Sequence, residues 1–391
     1  MPDIKEIKFC RVCQSKELTK VLSLGNDFYI STFVKKEGDN LGKAPLVLVE
    51  CQNCKLVQLK HSVPLWKMFK NHYWFKSGIN EVIVRDLADV LDEAMELVDL
   101  KDGDIFLDIG ANDGTLLSFV PNRFISIGCE PADNLIEELK KNCDYYIHDF
   151  WDKKHWQWGK AKIVTAIGMA YDMEDPTKFF ADIKAVMDDD GILIAQMMTL
   201  KPMYETADVA NICHEHLEYY SYKSLKYMFE KAGLEIFKIK EVGINGVSYR
   251  IYAHKLKRGS IDYPEPEYDW SDFKNRIENN RSGVLSTIFG AIQGGKKVYG
   301  YGASTKGNTT LQWYGLNKHH IVAIADRNPE KHGLIAVGSW IPVISEEEAR
   351  KNADYFLILP WGFRNAFKER EEDFLVKGGR FIIHTPRFEL I

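Results

Sequence analysis

The chain has 391 residues, 45% of them hydrophobic, with a formal net charge of −5 and an isoelectric point near 6.2. That length exceeds one compact core and predicts two or three domains, and the charge gives no basic surface suited to nucleic acid. No run approaches the ~18 uncharged apolar residues of a membrane-spanning helix, and Met1 to Lys8 lacks the apolar core of a signal peptide, so the expected setting is the cytoplasm.

In chain order, the first feature is a pair of C-x-x-C motifs, Cys10/Cys13 and Cys51/Cys54. Two intervening residues let both thiolates face one ion. Two such pairs give a closed site of four sulfurs, so the expectation is structural zinc, with a β-ribbon filling the long gap between the pairs. Disulfides and a redox dithiol are the competing readings; no export signal supports the first, and a redox motif would not be doubled. Cys129 and Cys143 read as buried small apolar residues.

Asp104 to Leu107 reads as a buried strand, followed by Asp108-Ile-Gly-Ala-Asn-Asp-Gly114 and a helix start over Thr115 to Val120. A strand, a glycine turn and a helix N-terminus let the backbone approach a nucleotide closely. The spacing D-x-G-x-x-x-G departs from the G-x-G-x-x-G of dinucleotide binders and favours S-adenosylmethionine over NAD. The competing reading is an ordinary strand-turn-helix corner. Phe124 to Cys129 is a second strand ending at Glu130, placed to accept from a ribose hydroxyl pair. Ile147 to Phe150 is a third strand end, where Asp149 can accept from an adenine amino group and Phe150 can pack on the ring. Lys162 to Ile167 is a fourth strand leading into Gly168-Met-Ala-Tyr171. A helix over Pro176 to Met187 and a fifth strand over Gly191 to Gln196 follow. The alternation predicts a doubly wound α/β sheet with its ligand at the carboxyl ends of the strands. The candidate residues for the methyl donor are Asp108, Gly110, Asn112, Asp113, Gly114, Glu130, Asp149, Phe150, Gly168 and Tyr171.

Asn211-Ile-Cys-His214-Glu215-His216-Leu-Glu-Tyr219-Tyr-Ser221 comes next. H-E-H is not the H-E-x-x-H of zinc proteases, since histidines two apart cannot share a helix face. In an extended segment His214 and His216 point the same way, or one lines a cleft with Glu215 supporting from the other side. A His-rich loop by itself is more often structural. Beyond the carboxyl edge of a methyl-donor sheet, an imidazole serves as a general base at neutral pH. Ser224 to Gly233 reads as a helix, Leu234 to Lys240 and Gly246 to Tyr252 as a final antiparallel pair, and Arg258 to Asp269 as a linker. Lys297-Val-Tyr-Gly300-Tyr-Gly302-Ala-Ser-Thr-Lys306-Gly-Asn308 repeats the strand, glycine turn and helix start; free amides with Lys306 suit a phosphate, against the reading of a plain tight corner. Ile321 to Asp326, Tyr355 to Trp361 and Phe381 to His384 supply further strands.

Several of these blocks together resemble the nucleotide-sugar C-methyltransferases that modify 4-keto-deoxysugars, over essentially the whole length. They are the four-cysteine module, the D-I-G-A-N-D-G loop, H-E-H-x-x-Y-x-S from His214 to Ser221, and G-Y-G-A-S-T-K-G-N from Gly300 to Asn308. The Asp326 to Lys331 and Leu359 to Trp361 runs match as well. The resemblance implies a zinc-binding module over 1–78, a class I methyltransferase (Rossmann-like) domain over 79–258 and a C-terminal Rossmann-like α/β domain over 259–391. A sugar nucleotide would lie between the last two, with methyl transfer from S-adenosylmethionine to the carbon beside the ketone of a 4-keto-6-deoxy sugar, C3. His216 would be the base and Glu215 would orient it or bind sugar. His214, or Tyr73 from the aromatic run His72 to Phe75, would stabilise the enolate oxygen. Lys306, Asn308 and the amides around Gly302 and Ala303 would hold the diphosphate, with Tyr219, Arg250, Asp326 and Trp361 completing the substrate contacts. Cys213 stands where many relatives have Tyr, and Asn245 to Arg250 replaces their Gly-Gly-Ser-Leu-Arg. The chain is expected to act as a monomer, without nucleic acid or membrane. An O- or N-methyltransferase and a non-catalytic zinc-containing binding protein are the alternatives.

Overall fold

A computed structural model describes residues 4–30, 32–39, 42–244 and 247–391; Met1 to Asp3, and Asn245 and Gly246 of the departing segment, lie outside these. Near the N-terminus the two C-x-x-C pairs close by the same turn. Gln14 N–H donates to the Cys10 carbonyl and Lys55 N–H to that of Cys51, each at 3.0 Å. Gln14 (φ 62°) and Lys55 (φ 63°) both adopt the left-handed conformation that reverses the chain directly after the second cysteine. The pairs are joined by an antiparallel meander of β1 (Leu18–Phe28), β2 (Lys43–Cys51) and β3 (Val57–Leu59). The four sulfurs lie within 4.8 Å of one another, with Cys10–Cys54 at 3.6 Å and Cys13–Cys51 at 3.4 Å. Those separations far exceed a disulfide bond of ~2.05 Å. They are close to the ~3.8 Å edge of a tetrahedron with Zn–S bonds of ~2.3 Å, so the cluster fits zinc.

The central sheet contains β4 (Ile105–Ile109), β5 (Ile125–Cys129), β6 (Tyr145–Ile147), β7 (Ala161–Ile167) and β8 (Met187–Met197). The next strand, β9 (Glu218–Tyr219), leaves this sheet and joins the edge of the N-terminal meander by pairing with β3. With β10 (Leu234–Val242) and β11 (Ser248–Lys255), the central order is β10-β11-β8-β7-β4-β5-β6, and only β11 is antiparallel. Helices α1 (Glu81–Glu96), α2 (Pro176–Val186) and α3 (Tyr222–Lys231) pack on it, N-capped by Asn80, Asp175 and Ser221. The helix expected over Thr115 to Val120 is only a 3-10 turn, Leu117–Phe119. Asp113 holds the Thr115 N–H and hydroxyl, and Pro121 disfavours helical geometry at Val120.

Residues 258–269 contain no regular element, yet they are tied down: the Glu235 carboxylate accepts the N–H groups of Lys257, Arg258 and Gly259. A 24-residue helix the sequence reading passed over, α4 (Trp270–Gln293), starts from the Asp269 cap and buries Phe273, Ile277, Val284, Ile288 and Ala291 at helical spacing. The C-terminal sheet comprises β12 (Val298–Tyr301), β13 (Ile324–Asp326), β14 (Val343–Ser345), β15 (Tyr355–Ile358), β16 (Arg380–Ile383) and β17 (Glu389–Leu390). It has the order β14-β13-β12-β15-β16-β17, parallel except for β17, and α5 (Thr305–Tyr314) follows β12. A short ladder from Phe33–Val34 to Ile335–Ala336 links the N-terminal meander to this last region. Among the described residues no helix is long and apolar enough to cross a membrane.

Each chain is expected to carry one zinc by elemental analysis. Stripping it should lower the thermal transition by at least ~5 °C, given ~2–4 °C per kcal/mol lost in domains of 150–250 residues. An unchanged melt after verified metal loss would contradict a structural zinc.

Candidate active site

A cavity of about 320 Å³ opens at the carboxyl ends of β4, β5, β7 and β8, where a parallel sheet of this kind presents its loops. Its lining includes Tyr73 and Phe75 ahead of α1, Ile83, Asp86 and Leu87 on α1, the strand ends of the central sheet, and Thr305 with Lys306 at the start of α5.

Residues Asp108 to Asn112 form its floor. Gly110 and Ala111 N–H groups both donate to the Cys129 carbonyl, and Gly110 sits at φ +73°, where a Cβ would lie 2.7 Å from Met169 Cγ. That close approach requires glycine. Glu130 is fixed by the N–H groups of Asn112 (2.9 Å) and Ala132 (2.8 Å), one on each oxygen, which leaves further lone pairs for a ligand. Burial raises its pKa, and burial pushes Asp108 up to about 7 despite a hydrogen bond from Thr165. Phe150, Trp151, Gly168 and Tyr171 also line the cavity.

Asn112 and Asp113 have another job. The Asn112 carboxamide accepts from Ser77 N–H and donates to Phe75 O, and Asp113 accepts from Gly78 N–H. They clamp the aromatic segment over the cavity, where Asn134 grips both the N–H and the carbonyl of Tyr73. Asp113 and Gly114 stand outside the cavity wall. Asp149 does too; it is exposed and accepts from its neighbour Phe150 N–H. The expected adenine contact by Asp149 is therefore absent from the wall.

The H-E-H segment is a tight turn rather than an extended strand: His216 N–H donates to the Cys213 carbonyl at 3.2 Å. The turn sends Glu215 and His216 into the cavity and turns His214 out of it. His214 Nε2 donates to Ala44 O (2.9 Å) and its ring meets Tyr29 edge-on, so it supports the N-terminal meander and cannot reach an enolate. His216 Nδ1 donates to Asn211 O (2.9 Å) and its ring stands edge-on to Tyr171, which leaves Nε2 as the acceptor nitrogen. Burial and then the Lys306 ammonium hold its pKa down to about 3, so the ring is neutral. Burial pushes Glu215 up to about 7 against the pull of Lys306. Tyr73 is raised well above its ordinary value by burial and by Glu215, and stays protonated. Tyr219 donates to the same Asn211 carbonyl as His216 and lies behind the wall.

Two residues in this region were missed in the sequence. Asp172 lines the cavity with its Oδ1 unpartnered, and burial raises its pKa strongly; Asn134 holds Tyr73. Both directly follow strand-end motifs, Asp172 after Tyr171 and Asn134 soon after Glu130, and that position was the available signal.

The second glycine loop departs from expectation. Gly302 N–H donates to Ala325 O, Ala303 N–H to Asp326, Ser304 N–H to Gly302 O and Gly307 N–H to Ser304 Oγ. Those amides are spent on the loop itself and on the neighbouring strand, where Asp326 accepts from Ala303, and do not cradle a phosphate. Lys306 reaches the cavity, with Nζ 3.1 Å from Met198 Sδ. Asn308 is buried with both amide atoms unpartnered, and Trp361 borders a separate small cavity with Met198, Asp208 and Asn211. Arg250 lies behind the main wall. Its guanidinium pairs with Asp86 (2.6 Å) and Glu93 (2.9 Å) and donates to Gln196 (2.7 Å), at 1% exposure, so it positions the cavity residues Asp86 and Gln196 rather than a substrate.

Three family models match the chain: "Putative zinc binding domain" over residues 10–69, "Methyltransferase domain" over 80–239 and "C-methyltransferase C-terminal domain" over 263–386. The C-methyltransferase NovU of Streptomyces niveus is 27% identical over 414 residues, spanning 99% of this chain and 98% of that protein. Among solved structures, the mitomycin 7-O-methyltransferase MmcR is 16% identical over 46% of this chain and 55% of that one, with a TM-score of 0.36. A magnesium protoporphyrin IX methyltransferase of Synechocystis PCC 6803 is 14% identical over 45% of this chain and 82% of that one, with a TM-score of 0.34.

Arg250→Met leaves Asp86 buried without its cation and is expected to cost ~3–5 kcal/mol of stability in denaturant unfolding. An unchanged unfolding midpoint with a weakened acceptor KM would instead make Arg250 a substrate contact.

Proposed function

We propose that this chain, which belongs to the S-adenosylmethionine-dependent C-methyltransferases, methylates a 4-keto-6-deoxy nucleotide sugar at the ring carbon next to the ketone, C3. The observation that carries the reading is His216: its Nδ1 is tied to a backbone carbonyl while its other nitrogen stays free in the cavity shared with Asp108, Gly110 and Glu130. When bound, S-adenosylmethionine supplies a methyl group on a positively charged sulfonium. The close turn at Gly110, the remaining lone pairs of Glu130 and the aromatic side chains of Phe150 and Trp151 suit its backbone approach, ribose and adenine.

A C–H beside a ketone is acidic because the enolate carries its charge on oxygen. His216 Nε2 takes that proton. The Lys306 ammonium and the protonated Tyr73 hydroxyl, both in the cavity wall, donate to the enolate oxygen. Glu215 balances the imidazolium that forms, because its carboxyl changes charge near neutrality. With the amides around Gly302 already bonded, contact to the nucleotide half falls to side chains, with Lys306 in the cavity wall. The reading takes the protein as a cytoplasmic monomer; a four-thiolate zinc site suits a reducing compartment.

His216→Asn is expected to lower turnover by at least ~100-fold, the lower range for losing a general base, with S-adenosylmethionine binding retained in calorimetry. Near-normal turnover would sink the base assignment. Labelled methyl from S-adenosylmethionine, traced by NMR across a panel of 4-keto-6-deoxy nucleotide sugars, should appear on the ring carbon next to the ketone. Label on oxygen or nitrogen, or no turnover across the panel, would overturn the substrate reading.

A further inference from the structure

The turn that presents Glu215 and His216 also folds Cys213 against them. The Cys213 sulfur, a Glu215 carboxylate oxygen and a His216 ring nitrogen lie within 4.8 Å of one another, and all three residues are buried. The bond from His216 N–H to the Cys213 carbonyl produces this placement within four residues. Glu215 Oε1 is buried with no partner. His216 Nδ1 is already tied to Asn211 O, which orients the ring and leaves one nitrogen as a ligand, the usual support of a metal-bound histidine.

Thiolate, carboxylate and imidazole together suit a borderline-soft divalent ion. Tetrahedral bonds of ~2.0–2.3 Å hold such ligands ~3.3–3.8 Å apart, so side-chain shifts of about 1 Å bring the three atoms onto one ion. The Lys306 ammonium acts on all three residues and opposes a cation. The buried Asp172 carboxyl, its Oδ1 unpartnered, also lies close enough to interact with Glu215 and Cys213.

We propose that Cys213, Glu215 and His216 form a second metal site, distinct from the four-cysteine cluster, which takes a thiophilic divalent cation such as zinc, cobalt(II) or cadmium and leaves a fourth position open to the cavity. The His216 nitrogen it uses is the one assigned above to proton abstraction, so an occupied site stops methyl transfer. That consequence rests on the proposed function; the site itself does not.

The test starts from full-length protein verified to hold one zinc per chain, to which cobalt(II) is added. One further equivalent should bind, with a sulfur-to-cobalt charge-transfer band. C213S and C213A should lose both, while S-adenosylmethionine calorimetry confirms that the variants are folded. Turnover should fall with occupancy and return when a chelator removes the second equivalent alone. Metal content that stays at one per chain, or a band that persists in C213S, overturns the site. A second equivalent that binds through Cys213 yet leaves turnover intact supports the site and removes His216 as the base.

Discussion

Val57 and Gln58 pair with Tyr219 and Glu218 across two residues of antiparallel ladder, and within the first zinc knuckle Arg11 meets Glu218 at 3.7 Å with both side chains buried. The rest of the site depends on this junction. Leu217 and Glu218 N–H groups donate on their other side to the Tyr171 carbonyl, so the segment after His216 is gripped between the cysteine module and the loop that follows β7. Losing one partner of a buried ion pair leaves an uncompensated charge, which costs several kcal/mol. A zinc held by the four cysteines would fix the knuckle that carries Arg11, and Arg11 meets the strand that directly follows the turn.

The cavity gathers acids and leaves them short of cations. Asp108, Glu130, Asp172 and Glu215 all have pKa values raised by burial, and Lys306 is the cation that lines the same wall. Such a site favours ligands that bring positive charge, and a sulfonium does so. The same imbalance keeps His216 from needing a charged partner at rest, because its Nδ1 proton is absorbed by a backbone carbonyl.

Much of this was legible in the chain. Apolar runs marked the parallel strands, and the doubled C-x-x-C marked four sulfurs that do converge. Glu130 and His216 could be placed because each follows directly on a strand end or a motif with few geometric options. What escaped depended on partners distant in sequence. The amides around Gly302 are spent because Asp326 and Ala325 lie on the neighbouring strand, and no local pattern reveals that. Asn112 and Asp113 bond to residues 75–78 for the same reason, and of the two only Asn112 remains in the cavity wall. His214 was misdirected by reading the segment with period two, when a single bond from His216 N–H to the Cys213 carbonyl converts it to a turn. The helix over Trp270–Gln293 was lost because its buried stripe is narrow, with charged and polar residues filling most positions.

The cysteine module is stitched to both α/β domains: through Glu218–Tyr219 to the central one, and through Phe33–Val34 and the pair of bonds between Phe28 and Gln312 to the C-terminal one. A bracket fastened at both ends fixes the width of the gap it spans. Trading side chains such as Met198, Met173 and Phe75, which line the cavity, changes its shape without touching those ties.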